Sequence, residues 1–164
     1  MAVGSLGIAT PIITRLERAG IDVVRVQGPR EAQRPSSGWL EIGPAHLTMT
    51  DGRPATRRGM EDQHEHLVLF DLALDYATTP RLGLSRADQC GMGAFRTVCA
   101  TLGQAGFQCS PLDDVAGLVV LRLIAMLVNE AADAVLYGIC SADAIDVAMR
   151  YGVNYPRGPM EWSE

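Results

Sequence analysis

The sequence predicts an α/β region followed by an all-helical hairpin, with the change of class near residue 113. Three observations carry this reading. Short β-rich runs alternate with helical stretches up to Ser110, the apolar residues from Gly117 to Leu136 recur at helical spacing, and capping signals between Gly138 and Pro159 delimit a second helix. The expected domains are therefore 1–112 and 113–164.

The chain opens with VGSLGIATPIITRLERAGIDVVRV. Thr10 and Pro11 suit an N-cap and first helical position, Ile12, Ile13 and Leu16 give an apolar face, and Gly20 ends the helix. Ile21 to Val26 then reads as a strand. From Gly28 to Met60 the chain is rich in Pro, Gly, Arg and Ser. It predicts two short strands there, Leu40 to Ile42 and His46 to Thr50, closed by the Asp51-Gly52 turn signal. His66 to Leu72 is nearly continuous in apolar residues, as in a central strand of a parallel sheet, with Asp71 and Asp75 capping the loop after it. A strand Arg81 to Ser85, a helix Gly93 to Leu102 ended by Gly103 and Gly106, and a strand Phe107 to Ser110 complete the region.

In the helical part, Val120, Ile124, Leu127, Ala131 and Val135 share one face, and Leu123, Met126 and Ala134 widen it. A helix so apolar requires cover on more than one side, and Arg122, Asn129, Glu130 and Asp133 make it too charged for a membrane span. Gly138 supplies a stop, Ser141 an N-cap with Asp143 in the first turn, and Arg150 with Gly152 a second C-terminus ahead of Pro156 and Pro159.

Composition excludes several classes. A net charge of −5 argues against a nucleic-acid surface. All 14 basic residues are arginine, so no Schiff-base lysine, Walker A loop or lysine base is available. Cys90, Cys99, Cys109 and Cys140 show no CxxC pairing and no secretory leader precedes them, which fits reduced thiols in a cytoplasmic protein. His64 and His66 form an H-x-H pair beside a strand, with His46 as a conceivable third zinc ligand. Histidines at the polar lip of a buried strand are the commoner arrangement, and no metal is expected.

Asp114, Gly117, Arg122, Asn129, Glu130, Ala131, Gly138, Ser141, Asp146, Ala148, Met149, Arg150, Gly152, Pro156, Gly158 and Pro159 stand in a fixed order that resembles the opening half of the all-helical C-terminal domain of the 3-hydroxyacyl-CoA dehydrogenase family. The resemblance implies a fold of the 6-phosphogluconate/3-hydroxyacyl-CoA dehydrogenase C-terminal type. It also makes the first region similar to the reduced Rossmann-like domain that precedes a second C-terminal domain in long bacterial members. The opening glycine turn, helix and strand resemble a dinucleotide-binding start, with Gly4 and Gly7 as the last two glycines of GxGxxG, Ala2 or Val3 replacing the first, and Gln27 where the family places an acidic residue for the adenine ribose. NAD is the cofactor that this implies.

The resemblance further implies a catalytic histidine that takes the 3-hydroxyl proton, a glutamate that orients it and an asparagine on the first C-domain helix. In the matching runs Ser85 stands at the histidine position, the stretch for the glutamate is largely absent, and Leu121 stands at the asparagine position. General base catalysis contributes about 100 to 10,000-fold, and a lone serine hydroxyl cannot supply it near neutral pH. The leading expectation is a non-catalytic module that serves assembly or dimerisation in acyl-CoA (fatty acid) oxidation, pairing with a second copy or with a full-length dehydrogenase through its C-terminal helices. Active NAD-dependent oxidation of a 3-hydroxyacyl-CoA, and acyl-CoA or nucleotide binding without turnover at Gly4, Gly7 and the Thr10 helix terminus, remain open beside it.

Overall fold

The computed structural model describes residues 1–27 and 38–163. It divides into two compact units, Met1–Val119 and Val120–Glu164. The first is built on a seven-stranded mixed sheet and the second holds two helices. Among the described residues no helix is long and apolar enough to cross a membrane.

The strands are β1 (Ala2–Val3), β2 (Arg25–Val26), β3 (Trp39–Ile42), β4 (Ala45–Met49), β5 (Leu67–Phe70), β6 (Arg81–Arg86) and β7 (Gln108–Pro111), in the spatial order β2-β1-β3-β4-β5-β6-β7. Pairing is parallel for β1 with β2, β4 with β5 and β6 with β7, and antiparallel for β1 with β3, β3 with β4 and β5 with β6. Two antiparallel steps separate β1 from β4, so β1, β2, β4 and β5 all point the same way. The apolar run LVLF is central, with all four residues buried, but its sheet is mixed rather than parallel.

Helix α1 (Pro11–Arg18) starts directly from a 3-10 turn at Gly7–Ala9, so Thr10 is already helical and donates its hydroxyl to the Gly7 carbonyl instead of capping an amide. Ile12, Ile13 and Leu16 are buried, and Gly20 (φ +79°) ends the turn as expected. The strand after it is shorter than Ile21 to Val26. Its partner β1 is only two residues long, so the ladder reaches only Arg25 and Val26.

The β3–β4 hairpin turns at Gly43-Pro44, and Asp51-Gly52 instead closes the loop after β4. The sequence pattern also missed a helix, α2 (Ala55–Glu61). Its cap is remote: the Asp114 carboxylate accepts the amides of Ala55 at 2.5 Å and Thr56 at 2.8 Å. Helix α3 (Met92–Gln104) buries Ala94, Phe95, Val98 and Leu102, and Gly103 lies inside it; Gly106 (φ +82°) makes the turn into β7. Arg15 of α1 ties this region together. Its guanidinium sits 3.5 Å from the Phe107 ring centroid and donates to the carbonyls of Thr79 at 2.6 Å and Ala105 at 3.3 Å.

In the second unit, α4 (Val120–Leu136) begins three residues later than its apolar period suggests. The Gly117 amide donates to the Gly52 carbonyl, Leu118 is held buried at φ +50°, and the Val119 amide donates to Asp71 Oδ2 at 2.9 Å. Tertiary partners thus take the place of a first helical turn. Helix α5 (Ala142–Gly152) is capped as the sequence implies: Ser141 Oγ accepts the Ala144 amide at 3.2 Å, with Asp143 in the first turn and Arg150 in the last. Of α4 only Ala131 is buried, while Leu123, Met126 and Leu136 are exposed.

Candidate functional site

The glycine loop follows β1. Gly4 (φ +70°) and Gly7 (φ +54°) both occupy the left-handed region that favours glycine. The Gly4 amide donates to the Val26 carbonyl at 3.1 Å, so the loop is brought beside the end of β2, where Gln27 lies exposed. Two features distinguish the loop from an open crevice. The Gly7 amide donates to Ser5 Oγ at 3.2 Å, and the Gly38 amide donates to the Ser5 carbonyl at 2.8 Å. Because β3 runs antiparallel to β1, its entry lies at the C-terminal end of β1, the end where open α/β sheets take ligands. The approach is close: a Cβ on residue 38 would fall 2.6 Å from the Val3 carbonyl oxygen.

Ser85 sits inside β6, opposite Leu69 of β5, and is 1% exposed. Its Oγ is buried with no hydrogen-bond partner among the described residues. Leu121 is half-buried on α4 in the second unit.

His46 and His66 are elsewhere. His46 is the second residue of β4 and His66 immediately precedes β5, so both mark the N-terminal ends of strands whose direction β1 shares; the glycine loop follows a C-terminal end. His64 lies in the turn before β5 rather than on a strand, so the H-x-H spacing does not place two imidazoles on one strand face. Among the described residues no group of three or more His, Cys, Asp or Glu side chains could hold a metal ion.

Three acids bind backbone; Asp71 caps the loop after β5 as the sequence implies, while its bond to Val119 and the work of Asp114 and Asp146 were missed. Asp71, 3% exposed, accepts the amides of Leu72 and Val119. Asp114 caps α2. Asp146, 7% exposed, accepts the amides of Met160 at 2.8 Å and Glu161 at 3.2 Å. Glu161 in turn accepts the Gly158 amide at 2.9 Å and pairs with Arg150 at 2.9 Å, so the turn Gly158-Pro159-Met160-Glu161 is held both by its own Glu161 and by Asp146. A groove of about 390 Å³ beside it is lined by Asp146, Arg150, Met160 and Glu161 among others. The signal for these roles was present as D-x-x-G and D…GPxE, but only the fold shows that the acids bind backbone.

A mixed α/β sheet unit with a glycine loop, followed along the chain by a capped pair of helices, defines the class of fold. Two family models match in tandem: the 3-hydroxybutyryl-CoA dehydrogenase reduced Rossmann-fold domain over residues 47–115 and the 3-hydroxyacyl-CoA dehydrogenase C-terminal domain over residues 117–164. The chain belongs to the 3-hydroxyacyl-CoA dehydrogenase family. It is 31% identical over 82% of its length to a 3-hydroxyadipyl-CoA dehydrogenase of Escherichia coli, covering 27% of that protein. It is 36% identical over 70% of its length to a probable 3-hydroxybutyryl-CoA dehydrogenase of Deinococcus radiodurans, covering 37% of it. A solved 3-hydroxybutyryl-CoA dehydrogenase from Escherichia coli K12 superposes with a TM-score of 0.65 at 32% identity, over 75% of this chain and 25% of that one. The chain thus spans 25% to 37% of the length of these relatives.

Proposed function

We propose that this chain is a non-catalytic module of a dehydrogenase acting on 3-hydroxyacyl-CoA thioesters, and that it serves assembly through α4 and α5. The observation that carries this reading is Ser85. At the position that the family resemblance gives to the general base there is a hydroxyl sealed within interior strand β6, with no partner among the described residues to take or hold its proton. Leu121 offers a substrate no hydrogen bond.

The glycine loop fits NAD poorly on three counts. The Gly7 amide is engaged by Ser5 Oγ, the main chain at Gly38 lies against the loop, and exposed Gln27 replaces a carboxylate that would accept from two ribose hydroxyls. His46 and His66 lie at the N-terminal ends of β4 and β5, whereas the glycine loop follows the C-terminal end of β1, which disfavours an imidazole working there. The conformations of Gly4 and Gly7 favour a second reading, nucleotide or acyl-CoA binding without turnover.

Assembly is supported by the second unit. Exposed Leu123, Met126, Leu136, Tyr137 and Ile139 form an amount of apolar surface that marks a contact site. The test is a titration of the chain with NADH, followed by fluorescence, with acetoacetyl-CoA then added. No saturable binding up to about 1 mM NADH, the upper end of common KM values, and no absorbance loss are expected. Saturable binding without turnover would favour the second reading, and oxidation of NADH would overturn both.

A further inference from the structure

We propose that the stacked pair His46 and His64 is a proton-sensitive clasp that holds the β3–β4 hairpin against the turn between α2 and β5, and that acidification loosens it. The proposal does not depend on the assembly reading above.

All three histidines of the chain meet here, although they come from two separate segments. The His46 and His64 rings stack with centroids 4.3 Å apart and planes inclined by 27°, and the Trp39 ring lies 5.2 Å from His64 and 6.2 Å from His46. Rings stacked face to face direct their nitrogens into separate planes, so the pair is built for contact and not for sharing a metal.

The nitrogens also favour neutral rings. Nδ1 of His46 and Nδ1 of His66 are buried with no hydrogen-bond partner among the described residues. For His46 this is tolerable as a lone pair, but protonation of its ring would place an N–H there without an acceptor. The groups that bear on the pair come from several elements. Glu41 of β3 holds Oε1 3.8 Å from His46 Nε2 and accepts from Trp39 Nε1 at 3.3 Å. Asp62 and Arg58, from the end of α2, act on His64 with opposite sign, and His66 opposes charge on His46. At the β1 end, the Met1 amine donates to the Glu41 carbonyl. Burial outweighs the carboxylates, and both imidazoles are pushed below the ordinary value of 6.5.

The sign follows. With folded pKa values below the unfolded one, the unfolded chain binds more protons as pH falls past 6.5. The clasp is complete above 6.5 and is lost as pH falls through the folded values. The β3 strand links β1 to the rest of the sheet, so the glycine loop would loosen with it.

The test is NMR on the full chain between pH 7.5 and 5. At least two histidine ring resonances should titrate with midpoints below 6.5. Hydrogen-exchange protection of Leu40 and Leu47, corrected for intrinsic exchange, should fall by about tenfold or more over the same range. His64→Phe keeps a flat ring on His46 but no proton site, and should cut that fall to about threefold or less. Midpoints at or above the ordinary value, protection that does not change with pH, or an unchanged fall in the variant would each overturn the clasp. Should the variant not fold, the titration of the unmodified chain decides alone.

Discussion

A Cβ on residue 158 would overlap the carboxyl carbon of Asp146, which holds the Met160 and Glu161 amides. Gly158→Ala must displace either the carboxylate or the turn, and should cost about 1–3 kcal/mol, measured by thermal unfolding. Ser85→Ala is expected to behave oppositely. Removing a buried hydroxyl that has no partner among the described residues should leave stability unchanged or raise it by up to about 1 kcal/mol, and a loss above that would show a missed hydrogen bond. Cys109 offers a chemical check. Burial and the neighbouring Cys99 push its thiol up to about 12, so little thiolate exists at pH 8. Alkylation by iodoacetamide should run at least about tenfold slower than for an unhindered cysteine. The family resemblance puts Ser85 at the place of a base, a reading that needs only the residue type and no fold. It did not show that Ser85 is sealed in the sheet, since burial depends on strands β5 and β7 that flank it.

At the scale of elements, α2 is the instructive case. ATRRGME carries no apolar stripe and no local cap; its first amides are satisfied by Asp114, nearly sixty residues further along the chain. Asp114→Ala should cost about 1 kcal/mol and raise hydrogen exchange at Ala55 and Thr56 of α2 more than in the sheet. Exchange that rises uniformly would mean that the cap stabilises the unit as a whole rather than this helix. Elements with local signals were legible: α5 from Ser141, Asp143 and Arg150, and β5 from its apolar run. Elements set by a distant partner were not. Strand β2 is cut short by a two-residue neighbour, and α4 starts late because Gly117 and Val119 direct their amides to Gly52 and Asp71.

At the scale of the whole molecule, each unit raises a separate question. The first has a continuous buried core, whereas α4 buries only Ala131. If α4 and α5 pair with a second copy, sedimentation equilibrium should give a dimer, and Leu123→Glu combined with Met126→Glu should give a monomer with the sheet unit still folded. A monomer in the unaltered chain would overturn pairing with a second copy.

The meeting of Gly38 with the glycine loop implies competition. Any ligand that needed the space beside Ser5 would first have to part β3 from β1, and its apparent affinity would be reduced by the rarity of that opened state. Such a ligand would trade strand pairing for its own contacts, so its binding would be accompanied by faster exchange in the β3–β4 hairpin, where an ordinary cofactor protects the fold that receives it.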